Sequence, residues 1–303
     1  MKKTRMRGGL ILAALAASAT ALADHAPGHE VTEAAYFDEL PVVLSVSRLS
    51  QSVDDAPAAV TLIDEATIRA SGLRDVPELL RLVPGFAVAY TRDNTWAVAY
   101  HGVADAFSRR FQVLVDGRSI YNAAYGTVYW AEQPLAIDDI ERIEVVRGPS
   151  AASYGANAFF AVINIVTKTA AQTQGAFASL QVGEHGMAGA TLRYGGGGER
   201  LRWRLTLSSQ QRDRFDNDAI DRLGGVMPAP ETLYERTRTG TLAGRADWQL
   251  SNTDELSAQF GLTDGDWNAG RQLEPIEPRR QDVRASFFQL KFRRAEGSDH
   301  EWS

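Results

Sequence analysis

Ile140-Glu141-Arg142-Ile143-Glu144-Val145-Val146-Arg147-Gly148-Pro149-Ser150 is followed, after a stretch rich in small residues, by Ala161-Val162-Ile163-Asn164-Ile165-Val166-Thr167-Lys168. Ile143–Val146 and Ala161–Val166 are short apolar, β-branched runs and read as two strands. Upstream, Phe111–Val115 reads as another strand, and Asp116-Gly117 after it is a tight-turn pair. Trp96–Val103 and Val60–Ile63 add two more. Asp64 is placed to cap a helix over Glu65–Ala70, which Ser71-Gly72 ends. Asp75-Val76-Pro77-Glu78 is a second helix start. Asp75 stands as N-cap, Glu78 as its capping-box partner, and Pro77 lies in the first turn, where its missing N–H costs nothing. Leu79, Leu80, Leu82 and Val83 supply the apolar face before Pro84-Gly85 stops the helix. Asp138 and Glu141 repeat the capping-box spacing. The region 47–170 therefore reads as one α+β domain.

No catalytic constellation is present. There is no Cys nucleophile, no paired His at helical spacing, no phosphate-binding glycine loop and no G-x-S-x-G elbow. Asp138, Asp139, Glu141 and Glu144 lie close in sequence and read as helix caps and solvated faces rather than acid/base groups. A net charge of -6 gives no global reason to expect nucleic acid binding. The expectation is a non-enzyme without cofactor, metal or nucleic acid partner.

At the N-terminus, Lys2, Lys3, Arg5 and Arg7 precede an apolar run over Gly8–Ala19 and the small-residue site Ala21-Leu22-Ala23. This is the pattern of a secretory signal peptide over 1–23; the run falls short of the roughly 20 residues a membrane-spanning helix needs. The absence of cysteine fits an exported chain. Residues 24–46 are expected to be a flexible segment, because its first part is polar and acidic with few apolar residues to offset the cost of order.

Beyond Lys168 the period changes to two. Leu201, Trp203, Leu205 and Leu207 alternate with Arg202, Arg204 and Thr206. Leu242, Gly244, Ala246 and Trp248 alternate with Arg245 and Asp247, and Leu256, Ala258, Phe260 and Leu262 with Ser257 and Gln259. Strands are expected near Ala176–Gly183, Met187–Tyr194, Leu201–Gln210, Thr237–Leu250, Leu256–Thr263 and Val283–Arg294. Such alternation suits a wall between lipid and a wet lumen, and equally a half-buried soluble sheet. The connections favour the wall. Short turns at Gly195–Gly198, Ser251–Asp254 and Ala295–Asp299 alternate with long loops at Gln211–Glu235 and Asp264–Arg280, as in outer-membrane barrels. Arg202, Arg204, Arg245 and Asp247 are expected to face the lumen, and Trp203, Leu205, Leu242 and Trp248 the lipid.

The segment Ile140–Ser150 together with Tyr154-Gly155-Ala156-Asn157-Ala158 and Val162–Lys168 closely resembles the plug signature of TonB-dependent outer-membrane receptors. Its carriers are Arg142, Glu144, Arg147, Gly148, Pro149, Tyr154, Gly155 and Asn164. Asp55–Val60, Leu79–Gly85 and Val115–Arg118 match the same family in the same order. Two departures stand out: His101-Gly102-Val103 where the family has Arg-Gly-Phe, and Ala161 where it has Gly. The first puts one plug–barrel contact in doubt; the second is a small steric change that the strand should survive. The resemblance implies an α+β plug domain (47–170) followed by antiparallel transmembrane β-barrel strands (171–303), the beginning of a barrel of about 22 strands. At roughly 10 residues per strand plus loops, several hundred further residues are expected.

The implied function is energy-coupled uptake of a scarce large nutrient, an iron–siderophore complex first and cobalamin as the alternative; a truncated, non-transporting periplasmic plug module is the reading from another class. The implied partners are the nutrient, outer-membrane lipid and the TonB protein. TonB is expected to add as a strand to a short extended segment before the plug. Pro41-Val42-Val43-Leu44-Ser45-Val46 resembles that box in position and composition; the plug's own first strand, or a box nearer Tyr36–Leu40, are the alternatives. Ligand contacts are expected in two outward plug loops, from Tyr90, Arg92, Asn94 and Trp96 and from Tyr121, Asn122, Tyr125, Tyr129 and Trp130. Their aromatic rings suit a bulky, partly apolar ligand, and Arg92 an anionic one.

Overall fold

The computed structural model describes residues 42–43, 51–52, 59–90, 96–101, 110–122, 126–155, 157–184, 186–212, 237–269, 279–296 and 300–302. The signal peptide, most of the 24–46 segment, Arg92, Asn94 and Tyr125 lie outside them. Among the described residues no helix is long and apolar enough to cross a membrane.

The chain forms β1 (Val42–Val43), β2 (Gln51–Ser52), β3 (Ala59–Asp64), α1 (Glu65–Ser71), α2 (Val76–Leu79), β4 (Phe86–Tyr90), β5 (Trp96–Tyr100), β6 (Phe111–Val115), β7 (Arg118–Ser119), β8 (Ile140–Arg147), α3 (Ala151–Tyr154) and β9 (Ala161–Thr167). A five-stranded mixed sheet runs in the order β3-β8-β9-β6-β7. Only β6 and β9 pair in parallel; the others are antiparallel. Its core is Ile63, Leu79, Leu80, Val113, Ile140, Ile143, Ile163 and Ile165, all shut off from solvent. The signature runs thus become the two middle strands, and Ala161, where the family has Gly, is fully buried without breaking β9.

Local chemistry explains most boundaries. The Thr67 N–H donates to Asp64 Oδ1 at 2.7 Å and starts α1 as expected. Asp116 (φ 47°) and Gly117 (φ 82°) both take the left-handed conformation that a tight hairpin turn requires. Other expectations need correction. Asp75 occupies the N-cap position of α2 but makes no side-chain capping bond, because Arg212 takes its carboxylate. Leu82 is exposed while Leu79, Leu80 and Val83 are buried. After one helical turn the chain tightens into a 3₁₀ turn at Leu80–Leu82, which rotates Leu82 off the apolar face. Asp138 and Glu141 cap nothing: a single 3₁₀ turn, Ile137–Asp139, leads straight into β8. Nor are Asp139 and Glu144 solvated; both are buried.

After a 3₁₀ turn at Ala171–Thr173 the chain enters seven antiparallel strands in sequential order: β10 (Gly175–Val182), β11 (Ala188–Gly197), β12 (Leu201–Arg212), β13 (Thr237–Gln249), β14 (Asp254–Ala269), β15 (Arg279–Glu296) and β16 (His300–Trp302). All six expected strands are present. β14 and β15 pair as far as Ala269 and Arg279, so strand extends into both ends of the expected loop Asp264–Arg280, whose middle lies outside the described residues. β11 runs through Gly197, which confines the glycine turn to 198–200. The faces alternate as the period demands. Leu205, Leu207, Leu262 and Phe288 are exposed on one face; Arg204, Thr206, Ser208, Ser257 and Thr263 are buried on the other, toward the mixed-sheet domain. Arg245 and Asp247 share that inner face, and Arg202 remains exposed.

Candidate functional site

The inner face of the strand sheet meets the mixed sheet through charged groups withheld from solvent. Asp139, the residue before β8, is 2% exposed. The Arg193 Nη1 of β11 donates to its Oδ1 at 2.7 Å and to the Asp138 carbonyl at 3.1 Å. Arg204 of β12 pairs with the other oxygen at 2.8 Å. A buried carboxylate held by two arginines from two neighbouring strands has the cationic partners that such burial demands.

A second cluster gathers where β9 leaves the domain. Asp116 accepts the Thr167 N–H at 2.8 Å and its hydroxyl at 2.6 Å. The same hydroxyl oxygen accepts from Arg204 (3.2 Å) and Arg245 (3.3 Å). Arg245 is held by Asp247 at 2.9 Å, and Asp247 also accepts from the Ala170 N–H and the Ser257 hydroxyl. Lys168 bonds Glu65 at 2.9 Å. The link from plug-like domain to strands is thereby tied on both sides. Nearby, Arg118 of the Asp-Gly-Arg turn lies 3.9 Å from the ring centre of Phe287 on β15.

The signature residues build the domain rather than a ligand pocket. Glu144 is fully buried, accepting from Arg142 Nε at 2.9 Å and from Asn164 Nδ2 at 3.3 Å, its cross-strand neighbour. Arg147 pairs with Ala161 across the same ladder. Gly148 (φ 120°) donates to the Phe160 carbonyl, and Ser150 to that of Ala158, closing the return past Pro149 between β8 and β9. The Tyr154 ring packs on a small cluster of Leu114, Val146, Ala158 and Val162, and Gly155 N-terminal to Ala158 accepts its N–H.

Expected ligand residues among those described line two separate cavities. Tyr90 ends β4, paired with Trp96 at the start of β5. Trp96 is buried, with the guanidinium groups of Arg81 and Arg212 5.9 and 5.5 Å from its ring. Trp96 and Trp130 line one cavity between the domain and β11–β13; Tyr121, Asn122 and Tyr129 line another against β15, with Arg118 and Glu132. Burial pushes the Glu132 carboxyl up. Tyr121 and Trp130 also pack on the hydrophobic core. Asn122 exchanges backbone bonds with Thr127 to close a small loop. Of the candidate TonB box only Val42–Val43 is described, as a short antiparallel pair with Ser52 and Gln51. Sequence reasoning missed Asp139 and Asp75 as inter-domain contacts. The sign that would have found them is the run of inward arginines across the sheet, which requires carboxylates opposite.

Residues 52–162 match the family model described as TonB-dependent Receptor Plug Domain. Among relatives, the vitamin B12 transporter BtuB of Vibrio cholerae is 34% identical over 142 residues, 47% of this chain and 23% of that protein. The iron-regulated outer membrane virulence protein of Vibrio cholerae is 31% identical over 132 residues, 42% and 20% respectively. The chain therefore spans less than a quarter of the length of these relatives. Among solved structures, the alcaligin outer membrane receptor FauA of Bordetella pertussis superposes with a TM-score of 0.64, at 18% identity, over 86% of this chain and 40% of that one. Identity that low speaks for the fold alone.

Proposed function

We propose, from the match of residues 52–162 to the plug-domain family model, that this chain is part of a TonB-dependent receptor and works in the outer membrane in energy-coupled uptake of a scarce, bulky nutrient. One observation carries the reading: a folded domain seated by buried ion pairs on the polar inner face of a strand sheet whose other face is apolar. A half-buried sheet of a soluble protein would cover its leucines, not its arginines. Here Leu205, Leu207 and Phe288 are bare and Arg204 is covered, which suits lipid on one side and a gate on the other.

An iron–siderophore complex is the leading ligand. Cobalamin is the second reading, favoured by the similarity to BtuB over the plug region. The test is uptake by cells that carry the intact receptor as their sole candidate route, offered radiolabelled ferric siderophores and cyanocobalamin in parallel, with and without TonB. TonB-dependent accumulation of one of them is expected. Accumulation that ignores TonB would falsify the coupling, and accumulation of neither removes both ligand readings.

The domain boundaries are part of the same proposal: signal peptide to 23, a periplasmic segment to 46, plug to 170, strands beyond. Pro41–Val46 is proposed as the TonB box, with Tyr90, Arg92, Asn94, Trp96, Tyr121, Asn122, Tyr125, Tyr129 and Trp130 at or beneath the ligand-facing surface. The extended pairing of Val42–Val43 with Gln51–Ser52 supports this reading, since strand addition to TonB needs extended backbone.

A further inference from the structure

Asp75 is built for two partners. Its backbone (φ −116°, ψ 140°) has the extended geometry of an N-cap, α2 starts at the next residue, and Glu78 stands at the capping-box position. Yet neither acidic side chain caps. The Glu78 N–H donates to the Asp75 backbone carbonyl at 3.0 Å, and Glu78 itself pairs with Arg81 at 3.8 Å. The Asp75 carboxylate turns instead to Arg212, the last residue of β12. Both side chains of that pair are mostly buried. Arg81 and Arg212 are also the two cations beside the ring of Trp96. Both members of the capping box are thus diverted to arginines around one plug tryptophan.

The cavity between the domain and β11–β13 is lined by Asp75, Trp96 and Arg212. Asp75 thus borders open space, and its backbone is already set for the cap. We propose that Asp75 is a two-position latch between plug and strand sheet: on Arg212 it docks α2 against the end of β12, and turned back to the Glu78 N–H it caps α2 and releases β12. The second position gives the carboxylate a hydrogen-bond donor when the ion pair opens, so separation does not leave the Asp75 carboxylate unpartnered. Asp139 is different, because a strand follows it and offers no helix N-terminus to cap. The latch rests on these contacts alone and holds whichever nutrient is carried.

The test is amide hydrogen exchange on the full chain in detergent micelles, read at residue level by fragmentation mass spectrometry. In Arg212→Met the Glu78 amide should slow several-fold as the cap forms, while the amides of 208–212 exchange faster. Asp75→Asn, which keeps a capping oxygen and loses the charge, should give the same pattern and serves if Arg212→Met does not fold. Asp75→Ala, which removes both partners, should speed exchange at Glu78. An unchanged or faster Glu78 amide in Arg212→Met and in Asp75→Asn overturns the latch.

Discussion

Asp139 seats the plug against two neighbouring strands of the sheet. It is buried between Arg193 and Arg204, so removing its charge strands two guanidinium groups away from water. Asp139→Ala is expected to cost about 3–5 kcal/mol, the usual penalty for breaking one partner out of a buried pair. Urea unfolding followed by tryptophan fluorescence measures it, and a midpoint like that of the parent would mean that the arginines find solvent or another acid. Asp64 works on a smaller scale. Hydrogen bonding to Thr67 holds its carboxyl below the ordinary value of 3.8. A depressed carboxyl contributes stability above its unfolded value and loses it as pH falls through the folded one. Asp64→Ala should therefore cost about 1 kcal/mol near neutrality, and the gap between it and the parent should shrink as pH drops below 3.8. A gap that stays constant down the acid limb would place the stabilisation outside the ionised cap.

At the scale of the strands, the two faces have different neighbours, and a one-residue slip exchanges them. Cysteines at Leu207 and Phe288 should react with a membrane-soluble maleimide in the intact receptor. Those at Thr206 and Ser257, which the plug covers, should resist both that reagent and a hydrophilic one until the plug is deleted. Labelling of Thr206→Cys with the plug in place would mean that the plug does not seat against β12. Gly261 tests the same contact from the sheet: a Cβ there would run into Phe287 and into Pro134 of the plug. Replacement by leucine should force the two apart and lower the unfolding midpoint, whereas Leu at the outward Phe288 should be nearly neutral.

For the whole molecule, the proposed uptake would have to draw its energy from the inner membrane, since the outer membrane sustains no nucleotide supply or lasting ion gradient. The proposed box, Pro41–Val46, would then be the coupling element. Val43→Pro and Leu44→Pro each remove a ladder donor and restrict the backbone. Both should leave ligand binding to the intact receptor unchanged and abolish uptake, measured with the same labelled nutrient in cells. Normal uptake by both variants would put the box elsewhere, nearer Tyr36–Leu40 or within a strand of the plug itself.

The strands and their faces were legible without coordinates because they are local properties. β-branched runs, a period of two, and the Asp116-Gly117 turn each act within a few residues, and the six expected strands formed with Trp203, Leu205 and Trp248 exposed and Arg204 buried as expected. The Asp64 cap was legible for the same reason. What sequence reading misjudged were two carboxylates whose partners lie far along the chain. Asp75 reads as a cap and instead meets Arg212; Asp139 reads as solvated and meets Arg193 and Arg204. A carboxylate accepts a neighbouring N–H or a distant guanidinium with the same oxygens. Local spacing records only the first option, and the choice falls to the second when folding buries the group beside a cation that it must neutralise.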